Sequence, residues 1–293
     1  MIRLPIIIFL ALGIIWGSNF IYMKMVAEHI DSMQVVFYRV LFGFIPVFCY
    51  AIYLKVLKLE HLKYSFHFFV MSLLAAVVYY YGFVKGSFLL LSGIAGALSG
   101  SVPLFSFLTA ALFLKEEKIT KNAMKGVAIG FFGVVLISGI FSENLQNLNT
   151  EGMLAIVLGS LSVGASFIYA RKFVTPLKIK AVALTTYQLG FAMIILLLIT
   201  DFENINAIWA DTHAALGMAI GLGFLGTGVV FIGYYYVIET MGALKASSIT
   251  YIPPVVALFI GFFIVGEDIK VIDFIATGLI FLGVFLINKR KKG

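Results

Sequence analysis

The chain has 293 residues, 62% hydrophobic and 12% charged, with a net charge of +7 and a mean hydropathy of +1.07. Soluble globular domains do not reach those values, so an integral membrane protein is expected, and basic residues scattered through short loops do not make a nucleic-acid face. The lone cysteine, Cys49, leaves no partner for a disulfide or a zinc site, and no cofactor motif is present.

In chain order, uncharged runs predict ten helical spans, at about 4–26, 33–54, 66–86, 89–114, 122–140, 152–171, 180–200, 214–238, 243–265 and 270–288. Their lengths suit helices crossing about 30 Å of hydrocarbon; barrel strands would be shorter and alternate in polarity. The first span is too long for a signal-peptide core and lacks a small-residue cleavage site, so it is expected to stay in the protein.

With the amino terminus inside, 17 of the 21 Lys and Arg residues fall on inner segments. Outer segments carry only Lys24, Lys85 and Lys270, against Glu28, Asp31, Glu143, Glu151, Asp201, Glu203, Asp211, Glu267 and Asp268. That is the positive-inside bias, and adding or dropping one span would reverse every later loop. A multi-pass protein of the plasma membrane with both termini cytoplasmic is expected.

Span one carries GSNFIYMK from Gly17, and span six carries GASFIYAR from Gly164. YRVLFGF from Tyr38 resembles YQLGF from Tyr187, and the run Tyr79 to Tyr81 is echoed by Tyr234 to Tyr236. Pro103 precedes Glu116 by thirteen residues, as Pro254 precedes Glu267, and GVVLI at Gly133 matches GVFLI at Gly283. The fold expected is all-α, with residues 1–142 and 150–288 as two five-helix repeats and 289–293 as a basic cytoplasmic tail. An odd number of spans per repeat forces the second copy to insert upside down.

The WGSNF stretch, the arginine of span two, and the proline followed by an apolar run ending in Glu in spans four and nine resemble EamA-type permeases of the drug/metabolite transporter superfamily. The resemblance covers essentially the whole chain. It implies a ten-helix carrier with a central cavity that moves small metabolites by alternating access. It does not fix the substrate. One departure is the stretch from Lys85 to Pro103, three residues longer than that from Glu239 to Pro254.

Polar groups near mid-membrane and backbone freed by proline are the expected site elements. Trp16 and Asn19 lie about halfway along span one, with Asn19 matched by Ser166 and Tyr22 by Tyr169. Asn19 suits either a cavity wall or a hydrogen bond between helices. Ser99 and Pro103, with Gly96 and Phe107, form a stripe on span four, and Thr250, Tyr251 and Pro254 form one on span nine. Both prolines are expected to kink their helices. Tyr80 and Tyr235 are expected to face inward from triplets that could otherwise anchor at the interface.

Arg39 is the only charge well inside a span. It either snorkels or pairs with Glu28, Asp31, Glu267 or Asp268, or it gates or meets a substrate carboxylate. The residues Gly126/Gly130 and Gly217/Gly221 permit close helix contact, and through span five a homodimer is one expectation. With no HExxH, Walker motif or mid-span acid, an enzyme is disfavoured, and polar groups gathered near the middle suit a binding site better than a channel. The expected function is secondary transport of amino acids or related compounds. Choline-like quaternary amines or other organic cations are the alternative, and the lipid bilayer and a small-molecule substrate are the partners.

Overall fold

The computed structural model describes residues 3–90, 95, 98–114, 120–137, 149–260 and 271–288, and all regular structure among them is helical. Glu116, Glu267, Asp268 and Gly96 lie outside the described residues. Six helices are long and apolar enough to cross a membrane: Leu4–Ala27, Ser32–Tyr53, Leu59–Leu89, Thr150–Leu177, Ala181–Ile199 and Thr212–Met241. Val102–Phe113 and Phe274–Ile287 are shorter apolar helices. Inside hydrocarbon the backbone must bond to itself, and these sequences do so as helices.

Helix α1 (Arg3–Ala27) is followed by α2 (Ser32–Tyr53), whose start is fixed by a capping box between Asp31 and Gln34. The third long helix joins a 3-10 turn, α3 (Ser65–Ser72), a π turn at Leu73–Val77, and α4 (Val78–Leu89). Then come α5 (Val102–Phe113) and α6 (Lys121–Ile137). The later elements are α7 (Thr150–Tyr169), α8 (Ala181–Ile199), α9 (Thr212–Leu216), a long π segment at Gly217–Val229, and α10 (Val230–Met241). Last come α11 (Ala243–Ser247), a 3-10 turn at Ser248–Tyr251, α12 (Ile252–Ile260) and α13 (Val271–Asn288).

The prolines expected to kink spans four and nine sit just after the point where each span's regular α-helix is interrupted, by a turn at residues 100–101 and by the 3-10 turn Ser248–Tyr251. Pro103 is the second residue of α5, after a turn at Gly100 and Ser101, and Pro253 and Pro254 follow directly on the first residue of α12. In the first turn of an α segment the proline's missing N–H has no α-helical partner to lose, so the break falls before the proline and the segment after it runs on as α-helix.

Glycines set the packing. A Cβ on Gly17 would lie 2.5 Å from Val256 Cβ and 3.1 Å from Pro253 Cα, so α1 touches α12 almost backbone to backbone. Its sequence counterpart Gly164, on α7, would place a Cβ 2.9 Å from Phe105 Cβ and 3.1 Å from Val102 O, on α5. Counting from Pro103 and Pro254, Val102 corresponds to Pro253 and Phe105 to Val256. The two copies therefore make the same contact crosswise, each motif helix against the proline helix of the other copy.

A different seam joins α6 and α13. A Cβ on Gly126 would meet Gly283 O at 2.7 Å, and one on Gly133 would meet Ala276 O at 2.8 Å. The glycines that made span five a candidate for self-association are thus packed within the chain. Gly217 and Gly221 likewise receive the ring of Tyr22.

On the face assigned outside, Gln34 donates to Asp201 O at 3.0 Å and Glu203 O at 2.8 Å, and Lys85 pairs with Glu151 at 2.7 Å. Asp211 caps α9, and the N–H groups of Ala214 and His213 hold its carboxyl below the usual carboxylate range. On the opposite face His61 Nδ1 lies 3.1 Å from the Tyr187 hydroxyl, and His67 Nδ1 lies 2.7 Å from the Tyr169 hydroxyl.

Candidate functional site

The centre of the site is built on α2. Arg39 is 2% exposed, and its helix packs on the glycine-rich π segment at Gly217–Val229. A π segment is wider than an α-helix and leaves carbonyls able to accept from other helices. Arg39 Nη2 donates to Gly226 O at 3.1 Å, and its Nε donates to Thr227 Oγ1 at 3.0 Å, which in turn donates to Leu222 O at 2.8 Å. With the Asn19 amide in the orientation that satisfies both its ends, Asn19 Oδ1 accepts from Arg39 Nη2 at 2.7 Å and Nδ2 donates to Ile15 O at 3.1 Å.

The guanidinium carbon of Arg39 stands 3.7 Å from the centroid of the Tyr80 ring, whose hydroxyl donates to Gly226 O at 3.4 Å. Cation–π contact of this kind offsets part of the cost of a cation in a dry interior. Neither Glu28 nor Asp31 pairs with Arg39, and among the described residues no carboxylate lies within ion-pair distance of it. Snorkelling is also ruled out by its burial.

Beside Arg39 a cavity of about 30 Å³ opens between helices of both copies. Of the residues expected from sequence, Trp16, Asn19, Arg39, Ser99 and Thr250 line it, and Tyr80 lies under Arg39. Phe20, Met23, Tyr79, Phe83, Val102 and Pro253, which are not among the expected site residues, supply most of its apolar wall, together with Val163, the counterpart of Trp16. Trp16 is 4% exposed and its Nε1 has no hydrogen-bond partner.

The remaining expected residues lie off the wall. Ser166 shares a 2.8 Å hydrogen bond with the Tyr234 hydroxyl and does not bond to Asn19. Tyr235 donates to Gln188 Oε1 on α8, and Tyr251 donates to Val127 O on α6 at 2.6 Å. Tyr169 meets His67. Pro103 and Pro254 stand beside Val102 and Pro253, the residues that do reach the cavity.

A multi-pass helical membrane protein with a cavity between two sequence-related helix sets is the form of a solute transporter. The chain belongs to the EamA-like transporter family, which matches it twice, over residues 3–139 and 150–289. It is 26% identical over 283 residues to the "Uncharacterized transporter YoaV" of Bacillus subtilis, covering 94% of each chain. It is 29% identical over 203 residues to the "Uncharacterized inner membrane transporter YedA" of Escherichia coli, covering 68% of this chain and 63% of that one. A "Probable terminal-alkyne amino-acid exporter" of Streptantibioticus cattleyicolor is 24% identical over 204 residues, covering 69% of this chain and 66% of that one. A crystal structure aligns over 96% of this chain and 95% of its own, with a TM-score of 0.73 and 15% identity, which speaks to the fold.

Proposed function

We propose that the protein is a secondary transporter, not an enzyme, that moves small metabolites across the plasma membrane by alternating access. Its ten spans form two inverted repeats, residues 1–142 and 150–288, with both termini and the 289–293 tail cytoplasmic. The observation that carries this reading is the crosswise contact of Gly17 and Gly164 around a cavity that both copies wall. Two inverted halves that each hold the other's proline helix can rock about the site between them, which is how such carriers expose it to one side at a time.

Amino acids or related compounds are the proposed substrates. A buried guanidinium on the wall suits a carboxylate, and one relative is named as a probable amino-acid exporter. Quaternary amines are the second reading, favoured by the rings of Trp16, Phe20 and Tyr79 on the same wall. Uptake of labelled amino acids and labelled choline into vesicles separates the two. Trp16→Ala and Asn19→Ala are expected to cut transport of the accepted solute severalfold; unchanged transport by both variants would sink the proposed site.

A further inference from the structure

We infer that the cavity reads a substrate carboxylate and supplies no counter-charge for an amino group, so its ligand is an apolar carboxylate anion whether or not it carries an ammonium. This deepens the transporter reading and rests on it for the cavity being a substrate site. The wall holds an uncompensated cation and an unspent donor. Arg39 places Nε and Nη2 on Thr227, Gly226 and Asn19 and stands over the Tyr80 ring, all neutral groups, so its charge meets no counter-charge among the described residues. Trp16, on the same wall, has a buried Nε1 donor with no acceptor among the described residues. Arginine keeps its charge and indole N–H only donates, so the unspent groups call for acceptors and for negative charge.

Among the described residues the wall holds no anion to match them, so an ammonium placed there finds rings but no carboxylate, and it would sit near a cation. The rest of the wall is Phe20, Met23, Phe83, Val102, Val163 and Pro253, which suits an apolar body.

The repeat separates the cation from the scaffold. By the match of YRVLFGF with YQLGF, Gln188 is the counterpart of Arg39, and Tyr235 that of Tyr80. Gln188 bonds to Tyr235, so the scaffold accepts a neutral amide at this position, and the cation is an addition confined to one copy. A helix contact alone does not require it.

The test uses three probes of similar size with purified full-length protein in lipid nanodiscs: N-acetylphenylalanine, phenylalanine and phenylalaninamide, titrated by calorimetry. N-acetylphenylalanine is expected to bind at least as tightly as phenylalanine, and phenylalaninamide about tenfold more weakly or worse, the loss of one charge-assisted hydrogen bond. Arg39→Gln is expected to bring the three together. Trp16→Phe, which keeps a ring and removes the N–H, is expected to weaken only the two carboxylates, by severalfold; it keeps the test decisive if Arg39→Gln does not fold. Equal or tighter binding of phenylalaninamide, no binding of either carboxylate at millimolar concentration, or an unchanged order in folded Arg39→Gln each overturn the inference. Flux of the same probes into proteoliposomes separates it from the carrier reading. Ordered binding without flux removes the carrier and keeps the carboxylate site; equal flux of all three keeps the carrier and removes the carboxylate site.

Discussion

Gln188 stands in the second copy where Arg39 stands in the first, and each meets the middle tyrosine of its triplet. Arg39 lies over the Tyr80 ring at 3.7 Å, while Gln188 takes the Tyr235 hydroxyl on its carbonyl. One residue pairing is thus built twice with different chemistry, beside the cavity in one copy and as a bond between α8 and α10 in the other.

The Gln188 version is expected to be structural. Gln188 is fully buried and its Nε2 already lacks a partner. Tyr235→Phe leaves its Oε1 bare as well, and should lower stability by about 0.5–2 kcal/mol. Adding Gln188→Leu to Tyr235→Phe should recover most of that in thermal melts, and a strictly additive double variant would contradict the pairing.

The crosswise seams predict a graded response to small substitutions. Gly17→Ala and Gly164→Ala put a methyl into backbone and Cβ atoms at 2.5–3.1 Å, and should cost about 1–3 kcal/mol each. Gly278→Ala meets nothing within 4 Å and should be neutral or mildly stabilising. Melting temperatures of the three purified variants decide it, and equal shifts would refute the close approach.

Orientation is open to direct chemistry. In a Cys49→Ala background, Glu203→Cys should react with a membrane-impermeant maleimide in intact cells, and Lys178→Cys only after lysis. Both native side chains are exposed, so access and not burial sets the outcome. The opposite pattern would place the termini outside.

Because Pro103 occupies a first turn, Pro103→Ala should change stability by less than about 1 kcal/mol. A large loss on melting would restore the interior kink that the sequence suggests.

Much of the helical layout was legible because hydropathy and loop charge respond to the same slab of hydrocarbon. Depth along span one was also legible, which is why Trp16 and Asn19 fall on the cavity. Facing was harder. From the triplet Tyr79 to Tyr81, sequence reading chose Tyr80, yet Tyr79 lines the cavity and Tyr80 lies under Arg39. The π turn at Leu73–Val77 puts an extra residue into the helix just before the triplet, which rotates the three tyrosines by about 100° relative to a regular 3.6-residue period. The π segment at Gly217–Val229 precedes Tyr235 in the same way. That no carboxylate among the described residues pairs with Arg39 was illegible too, since several acids lie at the right end of the membrane to reach it.

The seam between α6 and α13 limits how the molecule can move. Two helices whose backbones meet at Gly126, Gly133 and Gly283, with Ile280 and Ile287 locked over the same glycines, have little room to slide past one another and are expected to move as a single beam. Tyr251 is moored to that beam through Val127 O, and α12 starts at the next residue. Under the proposed alternating access, the motion expected to open the cavity is thus a pivot with its fixed end at Tyr251, its stroke taken up where Ile252 and Val256 lie over Gly13 and Gly17.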